Sequence, residues 1–272
     1  MSFKLSICTT YTNPEERMDP WVEALQCYNE LADEVVRSGE SWPSEFSWDY
    51  IGKMFNESFQ KATGDWVIRM DLDYFFHEKD FLNLRKYLAK NFNQPAVAFP
   101  KCQFFTPDRY SIKSNIVIAY NKKYFPKIKL NGGGDLCLPT IDGIEIKPKD
   151  VPISKIKLWN YDCMFKTKEI IKHDRARFAR AWFSYFGDWG EEDGSDPELA
   201  FKTWFTMIEE RYRKHNKKIS IDKHPKFILN KIRNLNQDQF GYNAFGLQDK
   251  YYKKSKKSRF TSKHPFQPKF YW

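Results

Sequence analysis

Apolar and polar positions alternate from Phe3 to Thr9 (FKLSICT), which predicts a first strand running into the loop Thr9-Thr10-Tyr11-Thr12-Asn13-Pro14. Pro20 suits a first helical turn, and Trp21, Ala24, Leu25, Tyr28 and Leu31 recur at helical spacing behind it. Ala32 to Val36 reads as a second strand, with Ser38-Gly39-Glu40-Ser41 as the loop beyond it. Ile51, Phe55, Phe59 and Ala62 mark a second helix, ended by Gly64. Trp66-Val67-Ile68 then forms a short buried strand closed by Asp71 and Asp73. Strand, helix, strand, helix, strand in this order favours a parallel, doubly wound α/β sheet with its functional loops along one edge.

Past Asp80, Phe81, Leu84, Tyr87 and Leu88 predict a third helix. Ala96–Phe105 and Tyr110–Tyr120 are rich in strand formers and joined by Thr106-Pro107-Asp108-Arg109, so they read as a hairpin. A second hairpin is expected through Ile141-Asp142-Gly143-Ile144, and a short strand over Lys155–Trp159. A long basic helix begins at Thr167, a Gly- and Asp-rich loop spans Phe186–Pro197, and a further helix covers Glu198–His215. His224-Pro225 opens a short apolar helix, and no repeats occur.

The chemistry concentrates in Gly64–Asp80 (GDWVIRMDLDYFFHEKD). If the strand continues, Asp71 and Asp73 face the same way, because side chains alternate along a strand. Two carboxylates so placed repel unless a proton or cation lies between them. A hard divalent cation, Mn²⁺ or Mg²⁺, bridging substrate phosphates is the natural partner. A strand end with two solvated acids is the plain alternative.

Composition adds three constraints. With 41% hydrophobic and 18% aromatic residues, 272 residues are enough for one large α/β domain, or one domain with an appendage. The five cysteines (Cys8, Cys27, Cys102, Cys137, Cys163) are scattered without a C-x-x-C pair, which supports neither a disulfide framework nor a zinc site and fits a cytoplasm-like compartment. No apolar run is long enough for a transmembrane helix, and the first residues lack the pattern of a signal peptide. The net charge of +10 is uneven: Arg211–Trp272 carries 17 Lys and Arg against 3 Asp and Glu, so this tail holds +14 and the body −4. Such a tail suits DNA or an anionic membrane surface, with a solvated lysine face as the plain reading.

Taken together, SICTTYTNPEER, ADEVVRSGES, the helix with Asn56, A-T-G-D-W and the D-x-D strand resemble the nucleotide-sugar-binding half of a GT-A glycosyltransferase related to the family 2 enzymes. The resemblance spans about residues 3–90 and continues more weakly to about 230. It implies a Rossmann-like mixed sheet flanked by helices. Together with the basic charge and the loss of clear pattern from Asn234 onward, it gives the expected division, a transferase domain over 1–233 (nucleotide-sugar half 1–90, acceptor half 91–233) and a basic, helical, partly flexible extension over 234–272. By the same resemblance Thr9, Thr10 and Tyr11 contact the nucleoside, Lys53 and Asn56 lie on a helix turned toward the nucleotide, Asp71 lies near ribose or metal, and Asp73 binds the metal. Glu40, near Ser38, is the candidate for an acidic residue that reads the base. Tyr74 stands where many relatives carry a glutamate, and Asn160-Tyr161-Asp162 where some carry His-Tyr-Gly.

Transfer of a sugar from a nucleotide diphosphate also needs a group to take the acceptor proton. Asp162, Asp135 and Asp193 are candidates in that order, the last within Trp189-Gly190-Glu191-Glu192-Asp193, which is similar to a Glu-Asp segment of inverting relatives. Against these stand a helix cap for Asp162 and a plain turn for Asp135, which follows three glycines. His224 reads as structural. Trp182, Trp189 and Trp204 are acceptor-stacking or core residues. The expected activity is metal-dependent glycosyl transfer (hexosyl or pentosyl) to a saccharide or glycan hydroxyl, in a cytoplasmic or peripherally membrane-bound protein. Rival readings are a transferase acting on hydroxylated DNA bases, a nucleotidyltransferase, and non-catalytic nucleotide-sugar or nucleic-acid binding.

Overall fold

The computed structural model describes residues 3–11, 13–40, 42–45, 47–132, 138–187 and 193–244. The first unit is the expected one. Strand β1 (Leu5–Thr10), helix α1 (Trp21–Leu31), β2 (Glu34–Ser38), α2 (Trp48–Lys61) and β3 (Trp66–Arg69) place three parallel strands in the order β2-β1-β3. Next come a two-residue strand β4 (Tyr74–Phe75), α3 (Phe81–Lys90) and the long hairpin β5 (Ala96–Thr106) and β6 (Arg109–Asn121). The small hairpin β7 (Thr140–Ile141) and β8 (Ile144–Glu145) precedes β9 (Leu158–Asn160). Helices α4 (Lys168–Phe186) and α5 (Pro197–Lys214), strand β10 (Lys217–Lys218) and helix α6 (Lys226–Arg233) complete the described chain.

The sheet is mixed, as the resemblance implies, rather than parallel throughout. Its order is β2-β1-β3-β6-β5-β9-β4, with β10 against β6, and β6 runs antiparallel to both β3 and β5. Strand alternation sorts the core into two faces. Leu5, Ile7, Trp66, Ile68, Val97, Phe99, Ile116 and Ile118 join one cluster, together with residues of α1, α3 and α6. Cys8, Val67, Ala96, Ala98 and Val117 face the other way and pack on Phe55 and Phe59 of α2. Farther along that second face, Phe105 belongs to a third cluster built on α4 and α5 with Ile171, Phe201, Trp204 and Tyr212.

Between the second and third clusters β5 is polar. A bulge there breaks the register: Lys101 pairs with Ser114 and Cys102 with Ile112, which leaves Lys113 as the extra residue of β6. Cys102 and Phe104 stay in the first cluster, so Lys101 and Gln103 lie on the opposite face, between the other two clusters.

Residues 234–244, assigned from the sequence to the extension, hydrogen-bond to the body. Phe240 N donates to Lys166 O (2.8 Å), Gly241 N to Met164 O (2.9 Å) and Gln239 Nε2 to Phe165 O (2.7 Å). The rest of the basic tail, 245–272, lies outside the described residues, as do Thr12, Asp135, Trp189, Glu191 and Glu192. Among the described residues no helix is long and apolar enough to cross a membrane.

Candidate active site

The D-x-D segment is a turn, not a continuing strand. β3 ends at Arg69, and Tyr74 N donates to Asp71 O (2.9 Å), closing Asp71-Leu72-Asp73-Tyr74. Tyr28 of α1 fixes this turn from beneath: its buried hydroxyl lies 2.5 Å from Asp71 O and 3.0 Å from Tyr74 O. Sequence periodicity shows Tyr28 only as an apolar helix position, so this role was invisible there.

The turn leads into β4, and β4 pairs antiparallel with β9, Tyr74 opposite Asn160 and Phe75 opposite Trp159. That short pairing brings Asn160-Tyr161-Asp162 to the D-x-D turn. Asn160 Nδ2 donates to Asp73 Oδ2 (2.7 Å), and Tyr161 N donates to Asp73 O (3.0 Å). Asp162 is held from three sides. Gln103 Nε2 lies 3.4 Å from Oδ2, while Arg175 Nη2 of α4 (3.3 Å) and Cys163 Sγ (3.4 Å) approach Oδ1.

The two carboxyls are driven apart in acidity. Burial, then the charges of Asp162, Asp71 and Asp19, push Asp73 well above the usual carboxylate range, against Lys166. Burial also pushes Asp162 up, but Arg175, Lys166, Lys113 and Lys101 outweigh it and hold that carboxyl below its ordinary value. The same burial therefore acts on both carboxyls, and it is the nearby charges that set their directions: carboxylates around Asp73, basic side chains around Asp162. Asp71 lies beside the buried Arg69, whose Nη2 is 4.0 Å from its Oδ2.

Behind Asp73 lies a buried charge ring that the sequence did not reveal. Lys166, 2% exposed, pairs with Asp19 (3.0 Å) and Asp174 (2.7 Å); Arg17 pairs with the same two acids, and Arg177 with Asp174 (3.1 Å). The ring ties the β1–α1 loop to α4. Its acids and bases are some 150 positions apart, and the available sequence signals were only the charged strings PEERMD and KHDRAR.

The remaining candidates fall into separate places. Thr9 is fully buried, and its Oγ1 has no hydrogen-bond partner. Thr10 is buried, and Tyr11 is half-buried with its ring edge-on to Trp21 and beneath Arg37. Ser38 Oγ donates to Met54 O (2.6 Å), and Glu40 is exposed. Asn56 clasps the backbone of Leu130: its Nδ2 donates to Leu130 O (2.6 Å) and its Oδ1 accepts from Leu130 N (2.8 Å). Gly52, one turn earlier, admits that close approach, since a Cβ there would meet Leu130 O at 3.0 Å. Lys53 is exposed on the same helix. Asp193 is exposed, and its Oδ1 accepts from Ser195 N (2.8 Å), a local turn before α5. Trp204 is core, Trp182 half-buried. Among the described residues no three His, Cys, Asp or Glu side chains stand close enough together to hold a metal ion by themselves.

No protein-family model and no curated protein matches the chain. Among solved structures, S. aureus TarS 1-349 is similar at 10% identity over 76% of this chain and 79% of that one, with a TM-score of 0.38. The same protein in complex with UDP gives 8% identity, 77% and 72% coverage and a TM-score of 0.37. The mannosyltransferase PcManGT from Pyrobaculum calidifontis, in complex with GDP-Man and Mn²⁺, gives 12%, 75% and 70%, and 0.35. At these scores the functional reading rests on the chain's own geometry.

Proposed function

We propose that the chain is a metal-dependent glycosyltransferase that moves a sugar from a nucleotide-diphosphate donor to a saccharide hydroxyl. The observation that carries this reading is the placement of Asp162, held by Arg175, beside the D-x-D turn by the β4–β9 pairing, with Asn160 and Tyr161 bonded to Asp73. A carboxyl raised by neighbouring carboxylates is the donor chemistry that a hard divalent cation relieves. Asp71 and Asp73 are the side chains that would hold it. Among the described residues fewer than three ligating side chains gather there, so donor oxygens and water would complete the shell. Bound Mn²⁺ or Mg²⁺ would supply neutralisation of the departing diphosphate charge.

In this reading the donor lies over the carboxyl ends of β1 and β3, where open α/β sheets bind ligands, with its nucleoside near Thr10 and Tyr11. Asp162 accepts the acceptor proton. The acceptor oxygen bonds to the anomeric carbon, the bond from that carbon to the diphosphate oxygen breaks, and the proton passes to an Asp162 oxygen. Arg175 keeps Asp162 ionised and ready. A carboxylate held below its usual range is a weak base, but it suffices because the hydroxyl becomes acidic as its oxygen bonds to carbon.

Asp162→Asn tests this assignment. The variant should bind nucleotide sugar with unchanged affinity and lose at least about a hundredfold in transfer rate. Transfer at the native rate would remove Asp162 from the mechanism.

A further inference from the structure

The two oxygens of Asp162 are held unequally. Arg175 Nη2 (3.3 Å) and the thiol of the buried Cys163 (3.4 Å) both converge on Oδ1, and the same Nη2 lies 3.6 Å from that sulfur. A guanidinium can clamp both oxygens of a carboxylate, but here one nitrogen is shared between an oxygen and a sulfur. Among the described residues Oδ2 is left with a single contact, Gln103 Nε2 at 3.4 Å, which is long for a hydrogen bond. The carboxylate is itself open, its side chain 25% exposed. Gln103 is the other group with capacity to spare. Its amide offers two N–H groups and two lone pairs, and at 5% exposure it has little solvent to bond. Among the described residues the long contact to Asp162 is the one hydrogen bond of that side chain. Ser111 pairs with Gln103 across the β5–β6 hairpin and shares its face, so the floor beside Asp162 is polar on both strands.

We propose that Oδ2 of Asp162 is the oxygen that takes the acceptor proton, and that Gln103 seats the acceptor by a second hydroxyl, so that the acceptor is a saccharide reacting at one of two hydroxyls on adjacent ring carbons. The inference rests on the transferase reading above and names the residue that positions its acceptor. Oδ1, occupied by Arg175 and Cys163, keeps the carboxylate from turning, and Oδ2 faces the reacting hydroxyl. As that hydroxyl oxygen bonds to the anomeric carbon and the diphosphate oxygen departs, its proton passes to Oδ2. The neighbouring hydroxyl bonds to the Gln103 amide and exchanges no proton. An amide and a carboxylate oxygen side by side select this class, because two hydroxyls on adjacent carbons meet both groups at once. Water or a lone alcohol fills only one of the two places and leaves the buried amide short of partners.

The test uses the full-length protein with Gln103→Met, which keeps the length of the side chain without its amide, and Gln103→Asn, which draws the amide back by one carbon. Melting curves establish that each variant is folded, and either one suffices. The probes are the methyl glycosides of glucose, galactose, mannose and N-acetylglucosamine in both anomers, each with its monodeoxy analogues. Their affinities are titrated by saturation-transfer NMR in the presence of Mn²⁺ with UDP or GDP. Hydrolysis of a panel of nucleotide sugars by the native protein is measured in parallel. At least one glycoside should bind the native protein, and one of its monodeoxy analogues should bind about tenfold more weakly. The variants should bind the parent about as weakly as that analogue and should no longer distinguish the two. Binding of no glycoside to the native protein overturns the proposal, as do monodeoxy analogues that all bind like their parents. A variant that keeps the discrimination overturns it too. So does one that weakens parent and analogue equally, which would confine Gln103 to orienting Asp162. Absence of donor hydrolysis in the native protein contradicts the transferase reading instead, and the glycosides still judge Gln103 separately.

Discussion

His224 has both ring nitrogens engaged in the core. Nε2 faces Pro107 O at 2.7 Å, and a carbonyl can only accept, so Nε2 carries the proton and Nδ1 accepts from the Tyr161 hydroxyl at 2.8 Å. Burial drives the imidazole down to about 4, against the bond to Pro107, so it is neutral at physiological pH. The structural role expected at a His-Pro helix start is what the molecule shows. A histidine lowered in the fold stabilises it above the ordinary imidazole range. That contribution is lost as the pH falls from about 6.5 toward about 4, because the unfolded chain takes up the proton first. His224→Ala strands the Tyr161 hydroxyl and the Pro107 carbonyl and should cost about 3 kcal/mol in denaturant unfolding. The variant should also lose the native protein's weakening between those pH values. An unchanged acid limb would mean that another group governs it. Asn56 was legible as a residue of α2, but not in its task. Its partner is the backbone of Leu130, and no local pattern announces a hydrogen bond across 74 positions.

At the scale of elements, periodicity exposed the units that bury a whole face. β1, α1, α2, α3, the β5–β6 hairpin, α4 and α5 all repeat apolar positions often enough to be read. β9 was expected as a short strand over Lys155–Trp159 and lies at Leu158–Asn160, but the two-residue β4 has no period to show, and it is the β4–β9 pairing that assembles the site. The bulge at Lys113 was equally silent, because the residues around it still look like strand. The charge ring between the β1–α1 loop and α4 is the other junction that the sequence concealed. Asp174 lies well below the usual carboxylate range, since Lys166, Arg17 and Arg177 outweigh its burial. Asp174→Asn should cost about 3 kcal/mol, because Lys166 is left buried with less compensation. Thermal unfolding checks this. A change below about 0.5 kcal/mol would mean that the ring contributes little to docking α4.

Across the whole molecule, two apolar clusters on one sheet face leave a polar strip between them. The D-x-D turn, Asp162, Lys101 and Gln103 meet there. The α/β class was legible because the first five elements alternate so regularly, although that alternation favours a parallel sheet and the mixed order was expected only from the resemblance. The strip was not, because it depends on which clusters stop where. The central claim is that Asp73 exists to be relieved by a cation and a donor diphosphate. A carboxyl raised in the fold gives stability that is full below the ordinary carboxylate range and is lost as the pH rises through its raised value. Without metal, Asp73→Asn should therefore be more stable than the native protein at pH 8, by on the order of 1 kcal/mol.

The most direct measurement is a pair of melting curves, native and Asp73→Asn, with and without Mn²⁺ and each of a panel of nucleotide sugars, repeated with EDTA. The native protein should gain about 2.7 kcal/mol at a hundredfold excess over Kd with one donor and lose the gain in EDTA, while Asp73→Asn gains nothing. An equal gain in both proteins, or none with any donor, would contradict the account.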